Sequence, residues 1–168
     1  MRLDDFYREF DDPDLPRSPL GIADWDHPDS WHADAAVDAL RTLVHSGTVE
    51  VPIYDIGQSS VTGHHVVTAA PGDDILAEGL FAARLAQPLR AEGLLADAIC
   101  VQRSRWVTFG LRLVRDLSEH RKPPHILLRR GLALLRDEPH VVAEARAHGA
   151  RPITPRRARH ELAMGARR

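Results

Sequence analysis

Apolar side chains recur at helical spacing over Ala33–His45, Leu80–Ala91, Trp106–Glu119 and Ile126–Arg136. Short β-like runs stand between or beside them at Val49–Ile53, His65–Thr68, Asp74–Ala77 and Ala98–Gln102. The alternation predicts an α/β chain. Asp29-Ser30 offers a helix N-cap just before Trp31, and Gly47 stops the first helical pattern after Leu43-Val44-His45. Gly57-Gln58-Ser59-Ser60-Val61-Thr62-Gly63, rich in turn formers between two β-like runs, predicts a hairpin loop. Pro123-Pro124 separates two helical patterns, and Pro152–Arg168 predicts a short helix with a frayed end.

The length of 168 residues suits one domain with a real core, and a composition of 43% hydrophobic and 27% charged residues is that of a globular chain. The single cysteine, Cys100, lies in the apolar run Ala98-Ile99-Cys100-Val101 and is expected as a buried core thiol. With one cysteine, neither a disulfide framework nor a cysteine metal site is available. No apolar run approaches the ~20 residues that cross a bilayer, and the start lacks the basic-then-apolar order of a signal peptide, so a cytoplasmic location is expected.

The net charge of −2 conceals an asymmetry. Residues 1–111 carry 8 basic and 18 acidic side chains, net −10; residues 112–168 carry 14 basic and 6 acidic, net +8. The basic arginines lie on amphipathic segments without interleaved aromatics for base stacking, so a polyphosphate ligand accounts for them as well as nucleic acid does. Solvated helix faces account for them too. Lys122 is the only lysine in the chain.

The densest chemistry is Asp24-Trp25-Asp26-His27-Pro28-Asp29-Ser30-Trp31, which packs three kinds of polar group and two of the three tryptophans into eight residues. Carboxylates keep a loop soluble, but two indoles suit a site that grips a polar, ring-bearing ligand. Leu3-Asp4-Asp5-Phe6-Tyr7 places acids straight after an apolar entry, and Ile75-Leu76-Ala77-Glu78-Gly79 places another at the end of a β-like run. Acids at strand ends are where open α/β sheets hold ligands, and two of them can serve Mg²⁺ and take a hydroxyl proton. Helix capping is the plainer use of such acids. The pair His64-His65 reads as hairpin residues, Trp31 and Trp106 as core anchors, and Arg129-Arg130 and Arg156-Arg157 as solvated faces.

Taken in order, Leu3-Asp4-Asp5-Phe6-Tyr7, Trp25-Asp26-His27-Pro28-Asp29, Val51-Pro52-Ile53-Tyr54-Asp55, Ala77-Glu78-Gly79 and Arg112-Leu113-Val114-Arg115-Asp116 resemble the uridine kinase family over about residues 2–122. His120-Arg121-Lys122-Pro123-Pro124 further resembles the short uridine kinase-like proteins of high-GC bacteria. The resemblance implies a P-loop kinase-like parallel sheet with a hairpin insertion and a helical lid at 104–125, in a single domain over 1–168. It implies transfer of the ATP γ-phosphate to a nucleoside 5′-hydroxyl with Mg²⁺. By the same resemblance Asp4 is the base toward the hydroxyl and lies near the metal, with Glu78 as the other acid there. Asp26 accepts from the ribose hydroxyls, Trp25 lies beside the base, Tyr54 lines the nucleoside pocket, Arg112 and Arg115 belong to the lid, and Lys122 fills a basic lid position.

The chain departs from the family pattern at Ser59, where a histidine for the nucleobase stands, and at Ile56, where an aromatic stands. An acceptor range wider than uridine is therefore expected. The family's first strand, Gly-x-x-x-x-Gly-Lys-Ser/Thr loop and first helix precede the Asp-x-Phe-Tyr motif, which here begins at residue 4. Gly57 to Gly63 has one residue too many to be that loop and is followed by His64-His65. The expectation is a chain missing that segment, through a misassigned start or degeneration. A non-catalytic nucleotide- or sugar-binding remnant, acting as a partner protein, is the alternative, and a nucleic-acid binder is a weaker one.

Overall fold

The computed structural model describes residues 1–102 and 141–165. The chain divides into two compact units, Met1–Ala96 and Asp97–Arg168.

In the first unit, helix α1 (Ala33–Ser46) buries Ala36, Val37, Ala39, Leu40 and Leu43, the stripe that a 3.6-residue period aligns. It stops at Gly47, whose φ of 72° is left-handed and whose N–H donates to the Leu43 carbonyl at 2.9 Å. Strand β1 (Thr48–Asp55) follows at once and pairs antiparallel with β2 (Ser60–Thr68). The turn between them is held by Asp55, whose Oδ1 accepts the Gly57 and Gln58 N–H groups at 2.7 and 3.2 Å. Ser59 takes a φ of 53° to close it. The predicted hairpin is therefore present, with a tighter turn because Ser60–Gly63 already belong to β2.

Leu3–Phe6 form a short 3-10 turn, as do Pro28–Ser30 and Ala82–Leu85, the last running into α2 (Ala86–Ala91). Leu3, Phe6, Trp31, Ala36, Leu40, Val51, Phe81, Leu85 and Leu89 make one buried cluster. Each large apolar side chain so buried stabilises the fold by about 1.5–3 kcal/mol against leaving it exposed. Trp31 stacks on Phe81 with ring centroids 5.6 Å apart, so its core role is observed.

The second unit, over its described residues, has a parallel pair, β3 (Ile99–Val101) with β4 (Arg151–Ile153). Residues 141–147 are helical, and helix α3 (Pro155–Gly165) begins with proline at its first position, where no N–H is needed. The Arg151 guanidinium binds Asp97 at 2.5 Å and also Glu161, while Arg157 binds Glu161 at 2.7 Å.

Several expectations change. Asp74–Ala77 is not a strand: its backbone runs beside Met1–Leu3, but pairing reduces to a single parallel bridge, Arg2 with Glu78, because the chain turns into the 3-10 segment at Leu3. The described residues thus hold two separate two-stranded sheets, one antiparallel and one parallel, in place of a continuous parallel sheet. Leu80–Ala91 is helical only from Ala82, first as a 3-10 turn. Asp29-Ser30 does not cap α1; it lies in the Pro28–Ser30 turn, where the His27 ring nitrogen accepts the Asp29 N–H at 3.1 Å. Cys100 is half-buried, since β3 is a short strand with Val101 exposed beside it. The helical patterns at Trp106–Glu119 and Ile126–Arg136, and the lid at 104–125, lie outside the described residues. No described helix is long and apolar enough to cross a membrane.

Candidate functional site

The segment from Leu3 to Phe10 is the hub of the first unit. On one side it pairs with the tryptophan loop: Tyr7 bridges antiparallel to Trp31, the Arg8 N–H donates to the Ser30 carbonyl at 2.9 Å, and the His32 N–H donates to the Phe6 carbonyl at 2.9 Å. On the other side it grips the hairpin. The Tyr54 hydroxyl donates to the Arg8 carbonyl at 2.9 Å, Glu9 accepts the Val61 N–H at 2.8 Å, and the Phe10 N–H donates to the Ser59 carbonyl at 2.9 Å. Glu78 lies against the start of this segment, its carbonyl accepting the Leu3 N–H at 2.7 Å and its N–H donating to the Met1 carbonyl at 3.1 Å.

Asp4, partly exposed within the 3-10 turn, accepts the Leu80 N–H on Oδ1 at 3.1 Å. Its Oδ2 has no hydrogen-bond partner among the described residues. The backbone of Gly79 approaches so closely that a Cβ there would lie 2.9 Å from both Asp4 Oδ1 and Leu3 Cβ. This close approach sets Glu78 beside Asp4, and the Glu78 carboxylate is exposed.

Three rings lie around Tyr7. Tyr7 meets Trp25 edge-on with centroids 6.0 Å apart, Tyr54 at 5.9 Å and Phe81 at 6.1 Å, geometries that aromatic pairs favour. The Tyr7 phenol is pushed up to about 12, first by burial, then by the negative charges of Asp4 and Asp26, then by Tyr54. Tyr7 therefore marks where the first, second and third sequence motifs converge. Trp25 is half-buried, Asp26 exposed and Tyr54 only 6% exposed. Burial also raises the Tyr54 phenol, against a hydrogen bond with Ser59 that lowers it.

The structure thus gathers Asp4, Trp25, Asp26, Tyr54 and Glu78 around the same short segment. Arg112, Arg115 and Lys122 lie outside the described residues. Beside the hub, an open groove of about 700 Å³ is lined by Asp5, Tyr7, Glu9, Asp11, Asp12, His32 and His64 among others. Among the described residues no group of three or more His, Cys, Asp or Glu side chains is arranged to hold a metal ion.

No protein-family model matches the chain. Curated relatives do. A probable uridine-cytidine kinase of Caenorhabditis elegans is 28% identical over 129 residues, which is 77% of this chain and 50% of that protein. The uridine kinase of Leuconostoc citreum is 28% identical over 155 residues, 92% of this chain and 71% of that protein. A uridine kinase of Clostridium botulinum is 26% identical over 136 residues, 81% and 63% respectively. The chain is thus similar to uridine kinases over most of its length. It spans between half and about seven tenths of the length of these relatives.

In this chain the residue that sequence reasoning missed is Tyr7. It stands inside the Asp-x-Phe-Tyr motif, yet only the fold shows that its hydroxyl is influenced by Asp4 and Asp26 together and that its ring joins Trp25 to Tyr54. Phe81 was equally hidden, its ring lying against both Tyr7 and Trp31. An aromatic three positions after an acid is a helical or turn spacing as readily as a site, so the sequence held no separate signal for either.

Proposed function

We propose that the chain is a uridine kinase-like phosphotransferase, moving the ATP γ-phosphate to a nucleoside 5′-hydroxyl or a similar small acceptor, and that residues 3–81 form the acceptor side of its site. The observation that carries this reading is Tyr7, whose phenol lies within the influence of both Asp4 and Asp26 while its ring touches Trp25 and Tyr54. A hydroxyl-activating acid, a sugar-binding acid and an aromatic wall are the three things a nucleoside needs.

Asp26, which is exposed, accepts hydrogen bonds from the ribose hydroxyls. Trp25, Tyr7 and Tyr54 form the wall for the base. Asp4, steadied on Oδ1 by the Leu80 N–H, uses Oδ2 to take the proton of the 5′-hydroxyl as that oxygen attacks the γ-phosphorus and ADP leaves. Asp4 and Glu78 would hold Mg²⁺, which when bound neutralises charge on the phosphate oxygens. Arg112, Arg115 and Lys122 belong to the proposed lid over the phosphates. A cytoplasmic location fits such a substrate.

A second reading is a non-catalytic nucleoside- or sugar-binding protein that uses the same residues. Both readings require the acceptor pocket. Tryptophan fluorescence titrated with uridine and with 2′,3′-dideoxyuridine tests it. Saturable uridine binding is expected, weakened about tenfold or more without the two ribose hydroxyls, since hydrogen bonds to a charged group contribute about 1.5–3 kcal/mol. Equal response to both ligands would overturn the ribose assignment.

A further inference from the structure

A buried carboxylate outside the proposed chemistry sits in the same hub. Asp5, next to Asp4, is only 3% exposed. Its Oδ1 accepts the backbone N–H of Tyr54 at 3.2 Å and lies 3.3 Å from the Arg2 guanidinium. The Tyr54 N–H is at an unusual place. The pairing register of β1 with β2 shifts between Ile53 and Tyr54: Ile53 faces Gly63 but Tyr54 faces Val61, which leaves Thr62 unpaired. Such a bulge disturbs the ladder, increases local twist and re-aims side chains.

The burial pattern follows the shift. Period-two alternation from buried Val51 would bury Ile53, yet Ile53 is 40% exposed and Tyr54 6%. The polar groups at the bulge are satisfied from side chains: the Thr62 hydroxyl donates to the Ile53 carbonyl at 3.2 Å, and Asp5 accepts from Tyr54. The far end of the same residue is also pinned, its hydroxyl donating to the Arg8 carbonyl at 2.9 Å. Both anchors of Tyr54 therefore come from the segment that carries Asp4 and Tyr7.

We infer that Asp5 is a positioning residue: its buried carboxylate holds the β1–β2 bulge so that the Tyr54 ring stands against Tyr7 at a fixed distance from Asp4. The consequence for ligand affinity rests on the nucleoside pocket proposed above. The pinning itself does not.

The test uses the full chain and NMR. In the parent, a scalar coupling across the hydrogen bond between the Tyr54 amide nitrogen and the Asp5 Cγ is expected, together with slow Tyr54 amide exchange. In Asp5→Ala the Tyr54 amide exchanges at least tenfold faster while Leu43 and Val51 keep their protection, and uridine binding weakens about tenfold. Asp5→Asn, which retains an acceptor oxygen, restores most of both. Absence of the coupling with fast Tyr54 exchange in the parent would overturn the inference, as would Asp5→Ala exchange that rises equally at Leu43, Val51 and Tyr54. If Asp5→Ala does not fold, the parent coupling and its persistence in Asp5→Asn decide the matter. A parent that shows the coupling but binds no nucleoside refutes the pocket and leaves the pinning established.

Discussion

At the scale of single residues, Tyr7 and Tyr54 are the clearest handles, because they are the only tyrosines in the chain and both phenols are raised. The cause is burial, reinforced at Tyr7 by Asp4 and Asp26. The folded chain thus keeps its proton on Tyr7 up to about 12, whereas the unfolded chain releases it near the ordinary tyrosine value of 10.0. Between those values the native state binds more protons than the unfolded one, so stability is fully present below pH 10 and is lost as pH rises toward 12. Absorbance at the tyrosinate band should stay flat through pH 10 while circular dichroism reports folded protein; early tyrosinate in the folded state would contradict the buried ring cluster. Gly79 offers a second handle. Its missing Cβ leaves room for Asp4 Oδ1 and Leu3 Cβ, so Gly79→Ala should destabilise by about 1–3 kcal/mol in urea unfolding and displace Asp4. The acids Asp4, Asp26 and Glu78 were legible in the sequence by their motif positions, but the partner that unites two of them was not, because the rings that meet Tyr7 come from residues 18, 47 and 74 positions away.

At the scale of elements, α1 and the β1–β2 hairpin were readable because each carries its own local signals: an apolar stripe with a glycine stop, and two β-like runs around a turn-forming cluster. Gly47 tests the first. At φ 72°, with a Cβ position 3.0 Å from the Ala69 carbonyl, Gly47→Ala should cost about 1 kcal/mol or more in chemical denaturation, while Gly63→Ala, with open space around it, should cost less. The bulge at Ile53 and Tyr54 was not legible, since it depends on Asp5 and Thr62 accepting and donating across the fold. Asp74–Ala77 misled for the opposite reason: its side chains suit a strand, but it finds only the short stretch Met1–Leu3 to pair with, and Leu76 stays 58% exposed.

For the whole molecule, the acidic first unit holds the proposed acceptor pocket, and the sequence resemblance that pointed to it agrees with curated relatives at 24–28% identity. Ser59 and Ile56 sit in the hairpin turn, Ile56 being 70% exposed and Ser59 engaged with its own loop, so neither walls the base firmly. A nucleoside panel should therefore show several acceptors bound within about tenfold of one another, and a strong preference for uridine would contradict that. The measurement that bears most directly on the central claim is calorimetric titration of uridine into the parent chain and into Asp26→Ala. The account predicts saturable binding by the parent, weakened in the variant by about 1.5–3 kcal/mol as the charge-assisted bonds to the ribose hydroxyls are lost; a variant that binds as tightly as the parent would contradict it.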